Sequence, residues 1–415
     1  MKFEAGWGRK GTIICYADTS TYSKEIHVPY GLVQLPWWGY VLVVLATTHF
    51  TLVATTLYLH RNQTHRAIDL HPAVAHVFRF WLWLTCGVVT REWVAVHRKH
   101  HLYADLPGDP HSPMVHGIRR MLRYGYNIYC TAASDRETVQ TFGQGTPDDW
   151  LERHVYTYNN AGVRLLLVID LILFGVPGLS VWAVQQLWIP FFAASIINGV
   201  GHYWGYRNYD LPNTSTNIIP WGILIAGEEL HNNHHAFPTS ARFSCRPWEF
   251  DIGWLYLRLL TALGLARVIR LAPVPRRRSD KLDIDSDTVR AVIVNRLQIM
   301  TDYARSVLGK TYRAELTHLN TADTDTLHAI GDLVRRDPFR ADPEARIRMN
   351  RALTGNTPLK KIYDLGLRLM ALVHEQNTPH DALVEPLRLW HTEAMSTGIP
   401  ALQDFARILP QYCHT

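Results

Sequence analysis

Cysteine is scarce: the chain has 5 in 415 residues, at Cys15, Cys86, Cys130, Cys245 and Cys413. They are scattered and form no C-x-x-C pair, which excludes a cysteine zinc site, an iron–sulfur cluster and a disulfide framework. No zinc finger and no RNA-binding aromatic motif occurs, and the net charge of +6 is modest, so nucleic acid is not an expected partner. Residues 1–31 lack the apolar core and cleavage pattern of a signal peptide. Residues 287–415 carry no Gly-rich phosphate loop, no cofactor motif and no heme-ligand signature. What chemistry the chain performs must therefore come from elsewhere.

Histidine is where the sequence is rich. Gly227-Glu-Glu-Leu-His-Asn-Asn-His-His235 places His231, His234 and His235 within one or two helical turns. His97-Arg-Lys-His100-His101 repeats the H-x-x-H-H spacing, and His60-Arg-Asn-Gln-Thr-His65 gives H-x-x-x-x-H. Residues three and four apart share a helix face, and imidazole is a good ligand for iron, zinc and copper. These 8 histidines are too many for one ion, since a zinc usually takes four ligands. Two metals in an all-imidazole site are expected. The carboxylates Glu228 and Glu229 are candidates to orient histidines by accepting their distal N–H groups, or else to solvate a helix end.

The average hydropathy hides two unlike halves. Trp37–Leu59 is apolar for about 23 residues, enough to cross a bilayer core, with Trp37, Trp38 and Tyr40 at one interface. Thr47, Thr48, His49, Thr51, Thr55 and Thr56 make one face polar, which predicts packing against protein. Residues 163–176 and 181–201 are apolar and joined by Val176-Pro-Gly178, predicting a helical hairpin. The stretch 72–96 has spanning hydropathy too, but one crossing there would put His97, His100 and His101 across the membrane from His60 and His65. It is therefore read as an interfacial helix, with Arg79 and Arg91 reaching toward headgroups. Three crossings follow, about 37–59, 161–178 and 180–201, with every box on one face. Asp170 in the hairpin is read as a carboxylate buried against a neighbouring helix in preference to a functional group. Arg246–Trp254 and Leu255–Leu265 read as an amphipathic surface helix. Arg119, Arg120, Arg123 and Arg276, Arg277, Arg278 lie beside apolar segments and suit the cytoplasmic membrane face.

The expected organisation is an N-terminal segment (1–36), a membrane domain (37–270), a Pro/Arg-rich linker (271–286) and a C-terminal domain (287–415). Within the first segment no element is legible. Helical periodicity in the last predicts four to six amphipathic helices as a soluble bundle. The fold class is all-α: an integral membrane helical bundle capped on its cytoplasmic side by the histidine boxes, with a C-terminal soluble helical domain.

The series H-x-x-x-x-H, H-x-x-H-H, N-x-x-x-H and H-x-x-H-H resembles the membrane fatty acyl desaturases of the stearoyl-CoA Δ9 type, bacterial branch above all. Gly201-His-Tyr-Trp-Gly-Tyr-Arg-Asn-Tyr-Asp210 and Gly227–Pro238 carry the likeness most closely, and it extends over roughly residues 37–270. The resemblance implies a di-iron centre with dioxygen as co-substrate. Its ligands would be His60, His65, His97, His100, His101, His202, His231, His234 and His235, with Asn198 reaching one metal through water. Trp93 would help bend the acyl chain. Activity would be insertion of a cis double bond, at Δ9, into a long-chain acyl-CoA or lipid-linked acyl chain; the alternative is a hydroxylase or monooxygenase on the same scaffold.

Departures from that pattern leave the acyl carrier and double-bond position open. Ala95 and Val96 stand where the acyl-CoA enzymes have charged residues, and Ala194 and Ser195 replace a Thr and a Trp at the acyl tunnel. No cytochrome b5-like His-Pro-Gly-Gly is present, so a separate electron donor is implied: a ferredoxin, a flavoprotein reductase or a cytochrome b5-like protein. Localisation would be the bacterial inner membrane. The C-terminal domain either docks an acidic donor, steered by Arg335, Arg336, Arg340, Lys360 and Lys361, or is a stabilising appendage that covers the site and supports oligomers.

Overall fold

The computed structural model describes residues 5–7, 12–15, 25–27, 30–318, 347, 350, 353, 357–375 and 377–414. Arg335, Arg336 and Arg340 lie outside these. The protein folds as two compact units: Met1–Gly205 with Ile218–His231 and Thr239–Arg270, and Tyr206–Asn217 with Asn232–Pro238 and Leu271–Thr415.

The first unit is helical apart from short strands. Residues 1–36 hold a small antiparallel sheet, Ala5–Trp7, Thr12–Cys15 and Glu25–His27, that the mixed composition does not announce. The Trp37–Ala54 helix begins after Pro36 and continues without a break as a π-helix, Thr55–Thr64. Together these 28 residues are long and apolar enough to cross a membrane, and Trp37 and Trp38 are exposed at the start. The polar face finds protein, as expected. Trp81 Nε1 and Gln185 Nε2 donate to Thr51 and Thr47, and Thr56 is fully buried.

The stretch expected at the interface is two helices, Pro72–Cys86 and Thr90–Tyr103, set at 89°. Gly87 ends the first at φ 60°, a left-handed cap that glycine adopts without strain. A side chain there would also strike the Asn159 carbonyl. Arg79 corrects its expectation. It does not reach toward headgroups but turns inward, pairing with Asp149 at 2.8 Å and lying over the Tyr156 ring. A buried guanidinium needs a carboxylate partner, and the Asp148–Glu152 segment supplies it.

The hairpin forms, but its turn lies at Gly175, two residues before the Pro-Gly pair. Gly175 makes the turn at φ 67°, while Pro177 and Gly178 already sit in the first turn of Val176–Ile189. Proline is favoured there because its missing N–H is unneeded. Gly178 lets that helix press onto the Asp170 backbone, and Asp170 is buried. The first limb, Asn159–Phe174, has 16 residues, about 24 Å of helix against a core of about 30 Å. The second runs on as a π-helix, Pro190–Val200, and among the described residues it is the second unbroken helix long and apolar enough to cross. The Ile118–Ala133 helix packs antiparallel to it through Gly125 and Gly199, exposing Arg119, Arg120 and Arg123. Ile252–Ala262 is the expected surface helix, capped by Asp251.

The second unit has its own core. Described helices are Ser286–Val294, Arg296–Tyr303, Gly309–His318, Thr357–Val373, Val384–Ser396 and Pro400–Ile408. Tyr303, Trp390 and Phe405 meet at its centre, the Tyr303 hydroxyl donating to the Ile362 carbonyl at 2.6 Å and Trp390 Nε1 to that of Leu365 at 2.8 Å. Arg276–Arg277 pairs with Tyr412–Cys413, so this part of the Pro/Arg-rich stretch is a strand. Lys360 and Lys361 are ion-paired, to Asp364 and Glu393, which weakens any steering charge they offer.

Candidate metal centre

The π-helix explains the first box. An α-helix turns residues five apart to different faces, but i→i−5 bonding widens the turn and stacks them. His65 N–H bonds the His60 carbonyl at 3.1 Å, and the two rings lie 4.9 Å apart. The perpendicular Thr90–Tyr103 helix brings His97 and His101 to the same place. Each of His60, His65, His97 and His101 offers one nitrogen, all within 4.8 Å of one another. His100, His202 and His231 form a second set by the same measure.

The spacing is one that two imidazoles sharing an ion would show. His97 Nε2 and His101 Nε2 are 3.1 Å apart, and His202 Nε2 and His231 Nε2 are 3.0 Å apart. Two nitrogens each about 2.1 Å from one metal, at angles of about 90–109°, are separated by about 3.0–3.4 Å. Burial lowers the His65 and His231 imidazoles well below their ordinary value, and His202 likewise, against the pull of Asp105. Neutral rings are the form that binds metal.

Carboxylates fix which nitrogen faces inward. His60 Nδ1–H donates to Glu228 at 2.6 Å, and the Thr56 hydroxyl donates to the same oxygen. His100 Nδ1–H donates to Asp109 at 2.9 Å, and His202 Nδ1–H to Asp105 at 2.9 Å. In each case Nε2 is left to look into the site. Asp105 holds φ 64°, a left-handed conformation that few residues other than Gly, Asn and Asp visit. The His111 ring packs against His100 with a centroid separation of 4.6 Å, completing a buried group of His100, Asp109 and His111.

The two neighbouring glutamates thus divide their work. Glu228 carries the orienting role. Burial opposes its charge, but His60 and Arg61 outweigh this and hold its carboxyl below the usual range. Glu229 instead accepts the Ile225 and Gly227 N–H groups of its own turn, and burial pushes it up to about 7. Changing Glu228 to Gln should lower metal affinity about 10–100-fold, the usual cost of losing an orienting partner. Metal per chain against free iron would measure this; Glu229→Gln should change it far less.

Other expected site residues are placed as follows. Trp93 stacks on His97 at 4.9 Å and meets His60 edge-on, with Trp188, Phe192 and Trp254 in the surrounding apolar cluster. Asn198 lies in the π-helix Pro190–Val200 and donates its amide to the Ala193 carbonyl at 3.1 Å. His234 and His235 are buried on the helix His231–Ala236. Their turn is fixed within the second unit by asparagines. Asn232 Oδ1 accepts the N–H groups of Asn208 and Tyr209, while Asn233 Oδ1 accepts the side chains of Asn208 and Asn217. Asn213 donates to His235 Nδ1. The two asparagines inside H-N-N-H-H are therefore structural. Asp105, Asp109 and His111 were not singled out from sequence. The only signal was an Asp-x-x-x-Asp-x-His run straight after the second box.

A family model for fatty acid desaturases matches residues 35–275. The sn-1 stearoyl-lipid 9-desaturase of Anabaena variabilis is 33% identical over 52% of this chain and 78% of its own length. Delta-9 acyl-lipid desaturase 1 of Arabidopsis thaliana is 26% identical over 66% of this chain and 88% of its own. A second sn-1 stearoyl-lipid 9-desaturase, from a Synechocystis strain, is 29% identical over 53% and 68%.

Proposed function

Because the chain belongs to the fatty acid desaturase family and is a membrane-bound oxidoreductase of that kind, we propose that it inserts a cis Δ9 double bond into a long-chain acyl group carried on a membrane lipid. The observation that carries this reading is the pair of buried imidazole sets set against Trp93 and its apolar neighbours. The lipid carrier rather than CoA is favoured by the lipid substrates named for these relatives and by Ala95 and Val96.

On this reading His60, His65, His97, His100, His101, His202, His231, His234 and His235 are the ligands of two irons, with Asn198 reaching one of them through water. When bound, the iron pair would supply dioxygen activation and the abstraction of hydrogen from CH2. The chain's own residues do the rest. Glu228, Asp109 and Asp105 keep His60, His100 and His202 in the tautomer that presents Nε2. The Arg61–Asp251 pair clamps the first box. Trp93 and the apolar cluster admit an acyl chain and exclude water. Electrons come from a separate donor, a ferredoxin, flavoprotein reductase or cytochrome b5-like protein, and the site faces the cytoplasm of a bacterial inner membrane.

Expression in a host that lacks unsaturated-lipid synthesis tests this. The expected product is a monounsaturated chain with its double bond at carbon 9 on extracted lipid, located by mass spectrometry. An alcohol at the same carbon would instead make the protein a hydroxylase. Unsaturation found on acyl-CoA before it reaches lipid would overturn the carrier.

A further inference from the structure

Among its described residues the C-terminal part of the chain brings together no metal-binding group, yet it folds as one unit with the two segments that frame the third histidine box, Tyr206–Asn217 and Asn232–Pro238. The link is specific. Arg305 donates from one guanidinium nitrogen to the Arg207 carbonyl at 3.0 Å and to the Asn208 carbonyl at 3.4 Å. Asn208 in turn holds both box asparagines, its N–H on Asn232 and its side chain on Asn233, and these precede His234 and His235 directly. Tyr206 and Asn217 close the loop by pairing backbone to backbone, and the Tyr209 ring meets Phe237 at 5.0 Å.

Arg305 is exposed, but the backbone that carries it is anchored. It sits between Tyr303 and Val307, both buried in the core with Trp390 and Phe405. A side chain anchored on a packed core can fix a loop that would otherwise sample several conformations. Loops position site residues poorly unless a scaffold supports them. Here the scaffold is the C-terminal domain.

We infer that the C-terminal domain is a positioning element for His234 and His235, acting through Arg305, the Arg207 and Asn208 carbonyls, and the Asn232–Asn233 pair. This rests on the reading of those two histidines as iron ligands. It assigns the domain a role in forming the metal site and removes the need for it to receive the electron donor. Arg305 touches neither metal nor substrate, so it is a positioning residue.

The test uses the full chain with Arg305→Ala, Arg305→Lys and Asn233→Ala, purified and titrated with iron(II). Arg305→Ala is expected to weaken iron binding about tenfold, the lower end of what loss of an orienting partner costs. Amide exchange in 206–217 and 232–238 should quicken, while exchange in Thr357–Val373 stays as in the wild type. Arg305→Lys, which keeps a donor, should recover part of the affinity. Asn233→Ala, one step nearer the ligands, should lose at least as much as Arg305→Ala. Wild-type iron affinity and exchange in Arg305→Ala would overturn the inference. So would a loss of iron accompanied by faster exchange throughout the C-terminal core, since the domain would then have unfolded. If the wild-type chain bound no iron, the metal reading itself would fall.

Discussion

His97→Ala will abolish product formation and strip iron from the purified protein while leaving it in the membrane fraction. His97 is the ring on which the first set converges: its centroid lies 4.5 Å from that of His60, 5.3 Å from His65 and 4.7 Å from His101. It also carries Trp93 stacked on its face. The substitution removes a ligand and opens a buried gap beside the apolar cluster. Losing an orienting partner costs about 10–100-fold in affinity or activity, and losing a ligand should cost at least that. Iron per chain, product per hour and membrane content, measured together, check it. Near-normal turnover with full iron would take His97 out of the site.

Arg61→Met will destabilise the first unit by about 3–5 kcal/mol, the usual cost of leaving a buried charge without its partner. Arg61 and Asp251 are both fully buried and 2.9 Å apart. The guanidinium also donates to the Ala241 carbonyl at 2.8 Å and lies 3.9 Å over the Phe243 ring. Its space is cleared by Gly227 and Gly253, where any side chain would come within 2.8 Å of it. Asp251 meanwhile accepts the N–H groups of Phe243 and Trp254, so it cannot turn away. Thermal unfolding in detergent should show a large fall for Arg61→Met. The double change Arg61→Met with Asp251→Asn should recover part of it, because no lone charge then remains and Oδ1 can still accept one of those N–H groups. A single variant as stable as the wild type would show that this pair does not clamp the first box.

The histidines themselves were legible because ligand type and spacing are local properties of a sequence. H-x-x-H-H on a helix puts three imidazoles within one or two turns wherever the chain folds, and their number alone calls for two ions. The long apolar runs were legible for the same reason, as was the amphipathic surface helix that became Ile252–Ala262. Where local rules compete, the sequence misled. Pro-Gly reads as a turn, yet Gly175 took the turn and left Pro177 to start a helix. Arg79 reads as a headgroup contact, yet Asp149 and Glu152 lie close enough in the fold to draw it inward.

The partners that orient these histidines belong to tertiary structure alone. His60 and Glu228 are 168 residues apart in sequence, and His202 and Asp105 are 97 apart. No periodicity links such pairs, and a carboxylate among many is unremarkable until a fold sets it beside one ring nitrogen. The π-helical turn that stacks His60 on His65 is also set by packing, since nothing in H-x-x-x-x-H distinguishes it from an α-helix with two divergent faces. The same holds for Asn232 and Asn233, which sequence offers as polar filler between histidines and the fold uses as hydrogen-bond anchors. Composition and spacing raised the expectation of two metals and offered eight candidate histidines, while His202 and Asn198 joined them only through the family resemblance. Only long-range contacts decided which nitrogen each ring presents, because that depends on where a distant side chain comes to rest.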